Sequence, residues 1–307
     1  MCGIACYLGK TNGDRAAVGS TIFDMLNALA LRGPDSAGVA LYGPRSDAML
    51  LRVKLGETAS ADANSDFRER SRHIAECVSA LAEPREISTT AEYLRMALEF
   101  DGNPHELEEQ IKSAGDEVEV VSMGHSLEIV KQVGSPDNLD ATYHMGSFVG
   151  SHGIGHTRLS TESRIDLSHS QPFWAHGCPD LAIAHNGHIT NYYNMRCKYE
   201  QRGVRFYTEN DSEIIGVYLG EQLDNGLSLE EAMRASLHAF DGSFSYLAAT
   251  ADAVGFAKDP FGLKPLLYVE TDAFVAVATE EMAIRAAFEG HYSVKEAQVS
   301  EVRIWRR

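Results

Sequence analysis

The first fifty residues alternate between short apolar runs and one segment with helical spacing. The runs CGIACYLG, SAGVALYG and DAMLLRVKL are rich in small and β-branched residues and are bounded by glycine, a pattern typical of buried strands. Within residues 18–31, apolar side chains recur at Ile22, Met25, Leu26 and Leu29, which places them on one face of a helix. The chain is therefore predicted to open with a strand, a helix and a second strand.

The composition changes between about residues 60 and 139, where charged and helix-favouring residues dominate. Candidate helices cover residues 66–81, 91–100 and 104–114, separated by proline and glycine. This segment is predicted to be a mostly helical insertion at about 60–139, within a single domain that spans residues 1–307.

After Gly146 the pattern returns to glycine-rich strands, including VGSHGIGHTRLS and LAIAHNGHI. Three candidate helices follow at residues 191–201, 212–223 and 229–239. The last third contains the strand-like segments FSYLAATAD, AVGFAKD, LLYVETD and FVAVATE, with one further helix near residues 280–288. Sheets with helices segregated between them predict an α+β fold.

Composition limits the classes of partner. The 307 residues are 44% hydrophobic, which is enough for a large core. The formal net charge of -17 would repel phosphate backbones and anionic lipids, so neither nucleic acid nor a membrane is expected as a partner. No window approaches the roughly 20 apolar residues of a membrane span, and the start MCGIACYLGK lacks a leader pattern. A soluble, cytoplasmic protein is expected.

The spacing of cysteine and histidine gives no sign of a metal site. The five cysteines form no C-x-x-C pair. Seven histidines lie between residues 144 and 188, but their spacing matches neither H-E-x-x-H nor another common ligand pattern. No metal is expected, and the histidines are predicted to have structural or supporting roles.

Cys2 directly follows the initiator methionine, and this position carries candidate chemistry. Removal of Met1 would leave one residue with both a thiol and a free α-amine. The ordinary pKa of such an amine is about 7.7–8.0, so near neutral pH it can accept the thiol proton. A cysteine at this position is on its own more often an ordinary buried strand residue. The hypothesis of an N-terminal nucleophile therefore depends on the rest of the chain.

Six motifs occur in the order seen in one enzyme family. They are MCGI at the start, RGPDSAG at 32–38, GHTRLST at 155–161, AHNGHITN at 184–191, NDSE at 210–213 and DPFGLKPL at 259–266. In this order they resemble the class II glutamine amidotransferases, over roughly residues 1–52 and 140–300. The resemblance implies an N-terminal nucleophile (Ntn) hydrolase fold, a four-layer αββα sandwich, and L-glutamine as the substrate that is hydrolysed to glutamate and ammonia.

The resemblance also implies roles for individual residues. Cys2 would be the nucleophile, and the side-chain amide of Asn186 with the backbone N–H of Gly187 would form the oxyanion hole. Two fixed donors suit this role because attack places negative charge on the amide oxygen of glutamine. Arg158 would pair with the α-carboxylate of glutamine, since a guanidinium fork matches a carboxylate. Asp211 would receive the α-ammonium group.

Two further residues are implied, and several assignments have ordinary alternatives. Thr161 would add a hydroxyl donor for the substrate, and Arg32 is a possible part of the wall around Cys2. An Asn-Gly pair is often a β-turn. Asp211 precedes a candidate helix and could be its N-cap, while Arg32 precedes the proline of an ordinary turn.

The acceptor of the ammonia is less well defined by the motifs. Glu162 stands where the hexosamine-forming branch of the family has a histidine, so this position does not assign a branch. The chain ends soon after the motifs, so the acceptor is expected on another chain. The resemblance is greatest to the glutaminase subunit of glutamate synthase-like complexes, particularly that of N-methylglutamate synthase. It implies a hetero-oligomer with synthase subunits, no cofactor in this chain, and FMN and an iron–sulfur cluster only on a partner subunit.

Two other functions remain open at this point. A stand-alone γ-glutamyl amidohydrolase of the Ntn type would use the same nucleophile on a larger substrate and would need no partner. A non-catalytic glutamine-sensing subunit would bind glutamine without releasing ammonia. The need for a partner separates the amidotransferase subunit from the stand-alone hydrolase, and an assay of ammonia and glutamate release from the purified protein is the most informative single measurement.

Overall fold

The structure is a computed structural model that describes residues 2–11, 16–57, 63–160 and 164–307. Its centre consists of two antiparallel β-sheets that contact each other. Within the described ranges, no helix is both long enough and apolar enough to cross a lipid bilayer.

The larger sheet has seven strands, and it brings the start of the chain next to the GHTR motif. Its strand order is β15 (Lys295–Glu296), β13 (Leu267–Glu270), β14 (Phe274–Ala278), β1 (Gly3–Gly9), β8 (His152–Arg158), β2 (Ser36–Tyr42) and β7 (Leu127–Val133). Strands β1 and β2 are the predicted runs CGIACYLG and SAGVALYG, and both are buried throughout. Gly3 pairs with Thr157 and Ser36 with Arg158, so Cys2 lies beside the carboxyl end of β8.

The smaller sheet has five strands and carries the AHNG motif. Its strand order is β16 (Val302–Arg306), β12 (Ala253–Lys258), β11 (Gly242–Ala249), β10 (Ala182–Ile189) and β9 (Phe173–Trp174). Strands β10 and β11 pack against β1 and β8 of the larger sheet. Successive residues of β10 face opposite sides of the sheet, as in any strand. Ala184 therefore packs in the core between the two sheets, and Ile183 packs in the core beneath the helices.

Helices cover the outer faces of both sheets. They are α1 (Val18–Ala28) and α8 (Glu281–Ala287) by the larger sheet, and α5 (Tyr192–Gln201), α6 (Glu213–Asp224) and α7 (Leu229–Ala239) by the smaller sheet. Ile22 and Leu26 of α1 lie directly over Gly155 of β8, which leaves no room for a side chain there. The layers therefore run helix, sheet, sheet, helix, and the predicted α+β, four-layer αββα sandwich is confirmed.

The insertion is not mostly helical, so that prediction was wrong. It contains α2 (Ala63–Val78), α3 (Pro104–Lys112) and α4 (Pro136–Tyr143), but also β4 (Glu83–Thr90), β5 (Tyr93–Glu99) and β6 (Glu119–Gly124). These three strands form a four-stranded sheet with β3 (Met49–Lys54), in the order β4-β5-β3-β6. The candidate helices at 66–81 and 104–114 are α2 and α3, whereas the one at 91–100 is strand β5.

The error at β5 has a simple physical cause. Its sequence YLRMALE consists largely of helix-favouring residues, but helix propensities differ by less than about 1 kcal/mol per residue. Pairing with β4 and β3 on its two sides outweighs such differences. Leu94, Met96 and Leu98 are also fully buried at every second position, which is the spacing of a strand.

Candidate functional site

A cavity of about 270 Å³ lies where the start of β1, the end of β8 and the end of β10 meet. Four of the predicted site residues line it together, namely Cys2, Arg158, Gly187 and Asp211. Thr161 falls outside the described residues. The structure therefore brings four predicted site residues to one cavity, although Cys2 and Asp211 are more than 200 positions apart in the chain; their roles stay predictions.

The thiol of Cys2 is half-buried at this cavity. Its Sγ lies 3.8 Å from the carbonyl oxygen of Leu159, to which it donates. The carbonyl of Cys2 accepts a hydrogen bond from Nε of Arg32 at 3.4 Å, and Arg32 in turn forms an ion pair with Glu280. Arg32 thus holds the main chain of Cys2 but is not among the described residues that line the cavity, so its place in the site wall stays a prediction.

Arg158 is the last residue of β8, and its guanidinium group is held by the segment that follows. Its Nη1 donates to the carbonyl oxygen of Arg164 at 2.8 Å, and its Nη2 lies 3.5 Å from Oγ of Ser160. Burial lowers the pKa of the Arg158 guanidinium, while Asp166 and other nearby groups oppose this change. An arginine remains a cation near neutral pH, so the cavity has a fixed positive group.

Asp211 supplies a fixed carboxylate to the same cavity. Its Oδ2 accepts the backbone N–H of Ile189 at 2.8 Å and lies 3.6 Å from Nδ1 of His188. Ser212, and not Asp211, is the N-cap residue of α6. The alternative interpretation of Asp211 as a helix cap is therefore wrong, because its side chain reaches back to the end of β10.

Asn186 and Gly187 lie inside strand β10 and do not form a β-turn. Gly187 has φ 144°, and a Cβ there would lie 2.3 Å from the carbonyl oxygen of Ser243, so only glycine fits. The side chain of Asn186 is 3% exposed, and its Nδ2 has no hydrogen-bond partner among the described residues. Asn186 thus holds a buried amide donor without an acceptor among the described residues, and its chain neighbours His185 and Gly187 line the cavity.

The DPFGLKPL motif supports this part of β10 from the next strand. Phe244 of β11 pairs with Gly187, and its backbone N–H donates to Oδ2 of Asp259 at 3.1 Å. The other oxygen of Asp259 accepts the N–H groups of Phe261 at 2.7 Å and Gly262 at 3.0 Å. One carboxylate therefore ties the motif's turn to the partner of Gly187.

His185, the neighbour of Asn186, is held by groups that the sequence interpretation did not single out. Gln171 contacts both of its backbone groups: Oε1 accepts the N–H at 2.7 Å and Nε2 donates to the carbonyl at 3.3 Å. Nδ1 of its ring lies 2.8 Å from Oγ of Ser212, and Gln171 Nε2 also donates to that oxygen at 3.0 Å. His185 and Ser212 belong to recognised motifs, but Gln171 lies between motifs and had no local signal.

His156 connects the two sheets next to this point. Its Nε2 donates to the carbonyl oxygen of His185 at 3.1 Å. Burial lowers the pKa of His156 to about 3, so its ring is neutral near neutral pH. Burial also lowers the pKa of His185. Two neutral imidazoles thus fix the backbone just before Asn186, which matches the supporting role predicted for the histidines.

The described titratable side chains around the cavity were also compared with the geometry of a metal centre. In the part of the chain that the structure describes, no group of three or more histidine, cysteine, aspartate or glutamate side chains is arranged to hold a metal ion. The cavity instead combines a thiol, an arginine, an aspartate and a strained strand end.

Comparisons with known proteins agree with this geometry. A family described as a glutamine amidotransferase domain matches residues 156–286. The "Putative glutamine amidotransferase" of Methanothermobacter thermautotrophicus is 37% identical over 99% of this chain and 99% of its own length. The glutamine amidotransferase-like protein GlxB of Rhizobium meliloti is 30% identical over 99% of this chain and 95% of its own length.

Solved structures support the fold. Glutamine phosphoribosylpyrophosphate amidotransferase from B. subtilis matches with a TM-score of 0.60 at 17% identity, over 99% of this chain. This chain spans about half of that protein, 49% of its length. Because two relatives align over almost their whole length with this chain, and the fold and cavity agree, the chain belongs to the class II, Ntn-type glutamine amidotransferases, enzymes that hydrolyse glutamine and transfer its ammonia.

Proposed function

We propose that this chain is the glutaminase subunit of a glutamate synthase-like complex, of the type found in N-methylglutamate synthase. In this proposal it hydrolyses L-glutamine at Cys2 and passes ammonia to a partner synthase subunit. The observation that carries the hydrolysis is the cavity in which Cys2 lies together with a fixed cation, Arg158, and a fixed carboxylate, Asp211. A free amino acid presents one group of each opposite charge.

The cavity suits a ligand the size of an amino acid. Its volume of about 270 Å³ lies just below the roughly 300–1,000 Å³ of sites for drug-sized ligands. Arg158 is oriented by the carbonyl of Arg164, and Asp211 by the N–H of Ile189, so both charges are fixed before the substrate arrives. Such preorganisation lowers the entropic cost of binding.

The proposed reaction begins with attack of the Cys2 sulfur on the γ-carbonyl carbon of glutamine. Once Met1 has been removed, the α-amine of Cys2 takes the thiol proton. The tetrahedral intermediate carries its negative charge on the former amide oxygen, which Asn186 Nδ2 and the Gly187 N–H stabilise. The proton then moves to the amide nitrogen, ammonia leaves, and a thioester to Cys2 remains. Water hydrolyses the thioester and releases glutamate.

The partner in this proposal is a synthase subunit that carries FMN and an iron–sulfur cluster, while this chain carries no cofactor. The support is the order and residue content of the six motifs, which resemble the glutaminase subunit of such complexes. In addition, every role proposed for a residue around the cavity concerns the binding or hydrolysis of glutamine, and none concerns the molecule that would accept the ammonia.

The test combines a nucleophile variant with a partner requirement. Cys2→Ala should abolish ammonia and glutamate release, and mass spectrometry of the active protein should show a chain that starts at Cys2. Cys6→Ala, in strand β1 that begins directly after Cys2, is a matched control. Cys6 is fully buried and burial raises the pKa of its thiol, so turnover should persist. Turnover by Cys2→Ala, or by a protein that retains Met1, would disprove the mechanism.

The partner is tested by co-purification from the native host, followed by assays with and without the associated chains. Glutaminase activity should rise when the synthase subunit is present. Full activity of the isolated chain on glutamine or on a γ-glutamyl compound would instead establish the stand-alone amidohydrolase. Glutamine binding without any ammonia release, with or without partners, would establish a sensing subunit.

A further inference from the structure

We infer that the four-stranded sheet of the insertion positions the glutamine site through one short segment, residues 164–171, and that Lys54, Glu119 and Ser168 are its positioning residues. This inference rests on the proposed function, because it concerns how glutamine is bound. It also gives the insertion a role inside the enzyme.

The segment contacts the site at both of its ends. At the first end, the carbonyl oxygen of Arg164 accepts Nη1 of Arg158 at 2.8 Å. At the other end, Gln171 accepts the N–H of His185 at 2.7 Å and donates to Oγ of Ser212 at 3.0 Å. Ser212 directly follows Asp211, so the segment holds the surroundings of both charged groups proposed to bind glutamine.

The middle of the segment is attached to the four-stranded sheet and to Glu57, which follows its strand β3. The hydroxyl of Ser168 donates to the carboxylate of Glu119 and accepts from Nζ of Lys54. The backbone N–H of Leu167 donates to Oε2 of Glu57 at 3.3 Å. Lys54 is the last residue of β3 and Glu119 the first of β6, so both are anchored in the four-stranded sheet.

The attachment is a compact, buried charge cluster. Nζ of Lys54 lies 3.0 Å from Glu57 and 3.5 Å from Glu119, and Nζ of Lys131 lies 3.7 Å from Glu119. Burial would raise the pKa of Glu119, but Lys131 and Lys54 lower it to about 2. Glu119 is therefore ionised at neutral pH, and a buried charged acceptor holds a hydroxyl donor in a well-defined direction.

The segment is stiff enough to connect these contacts. Oδ1 of Asp166 accepts the N–H of His169 at 2.8 Å and lies 2.7 Å from Nδ1 of the same residue. Oγ of Ser170 donates to the carbonyl of Asp166 at 2.7 Å. Because this turn is closed by its own hydrogen bonds, a displacement at Ser168 moves the carbonyl of Arg164 and the amide of Gln171. Glutamine binding should weaken, while the thiol chemistry at Cys2 should not change.

The experiment measures the dissociation constant of glutamine by calorimetry in a Cys2→Ala background, together with KM and kcat in the active protein. Ser168→Ala and Glu119→Gln should each raise the dissociation constant and KM at least fivefold and leave kcat within twofold. Ser168→Thr keeps the hydroxyl and should restore binding. Glu128→Gln is the matched control, because it also removes a largely buried carboxylate with two cationic partners. Glu128 lies on β7 and pairs with Arg52 and Arg95 of the four-stranded sheet.

The outcomes separate this inference from the proposed function. If the parent protein releases no ammonia, the proposed function fails, but the calorimetric ratios still test the positioning. Unchanged glutamine affinity in both Ser168→Ala and Glu119→Gln overturns the positioning role. An equal loss of affinity in Glu128→Gln also overturns it, because the effect would then reflect general loosening of the sheet. Ser168→Ala keeps the test valid if Glu119→Gln fails to fold.

Discussion

Replacement of Asn186 by alanine should separate catalysis from stability. Nδ2 of Asn186 is buried and has no hydrogen-bond partner among the described residues. A buried donor without a partner costs about 1–3 kcal/mol of stability. The proposed compensation is functional, because this donor would bond to the oxyanion that forms during attack on glutamine.

The magnitudes follow from these contacts. Loss of one oxyanion donor lowers kcat about 10²–10³-fold, which corresponds to about 2.7–4 kcal/mol of transition-state stabilisation. Stability should not fall, because Nδ2 makes no hydrogen bond to a described residue that the substitution could remove, and the unpaired donor is lost with it. Asn191→Ala is the matched control. Its amide donates to the carbonyl of Ala239 at 2.9 Å and accepts the N–H of Asp241 at 3.0 Å, so its loss should cost about 2 kcal/mol and leave kcat intact.

Two assays decide the matter: ammonia release at saturating glutamine for kcat, and urea unfolding for stability. The expected pattern is an inactive but stable Asn186→Ala and an active but less stable Asn191→Ala. The reasoning fails if Asn186→Ala keeps its kcat within fivefold of the parent protein. It also fails if that variant loses as much stability as the control, since its amide would then be a structural group.

Two further predictions concern the same site, and a third concerns the pH dependence of stability. Arg158→Lys should raise KM for glutamine at least tenfold with little change in kcat, since a lysine cannot form the bidentate contact; steady-state kinetics checks this, and a fall in kcat alone would contradict it. Gly187→Ala should lower the midpoint of thermal unfolding and abolish activity, because φ is 144° at this residue and the added Cβ would lie 2.3 Å from a backbone oxygen. An unchanged midpoint would show that alanine is not strained at this position. Burial lowers the pKa of His152 to about 4 and that of His156 to about 3, and it also lowers the pKa of His185. Below about pH 6.5 the unfolded chain therefore binds more protons than the folded protein, and the free energy of unfolding should fall between pH 7 and pH 5. Equal unfolding free energies at the two pH values would be inconsistent with this.

The apolar pattern predicted the α+β fold, whereas the four-layer sandwich and the candidate site residues were implied by the resemblance that the six motifs carry. Buried strands such as β1 and β2 carry their own signal in apolar residues, and functional residue types in motifs are constrained by the reaction. Cys2, Arg158, Gly187 and Asp211 line one cavity although they are far apart in the chain. Their catalytic and binding roles stay predictions until the variants are measured.

What the sequence missed depends on long-range contacts. The bond from His156 to the carbonyl of His185 joins two different sheets, and Gln171 acquires its role only because β10 passes beside it. No local pattern encodes either contact. The error at 91–100 has the same origin, since the neighbours of β5 in the sheet decided its conformation. Asn186 was expected to face glutamine, but its chain neighbours and not its own side chain line the resting cavity.

The last strand of the insertion has a consequence for any attempt to shorten this protein. Strand β7 does not belong to the four-stranded sheet; it pairs along the full length of β2, from Ser36 with Val133 to Tyr42 with Leu127. Excision of the whole insertion would therefore strip a complete row of backbone hydrogen bonds from β2. The buried strand SAGVALY would become a long, uncharged, open edge, which is the surface on which sheets of different molecules join. A shortened chain should be prone to self-association unless residues 127–133 are kept.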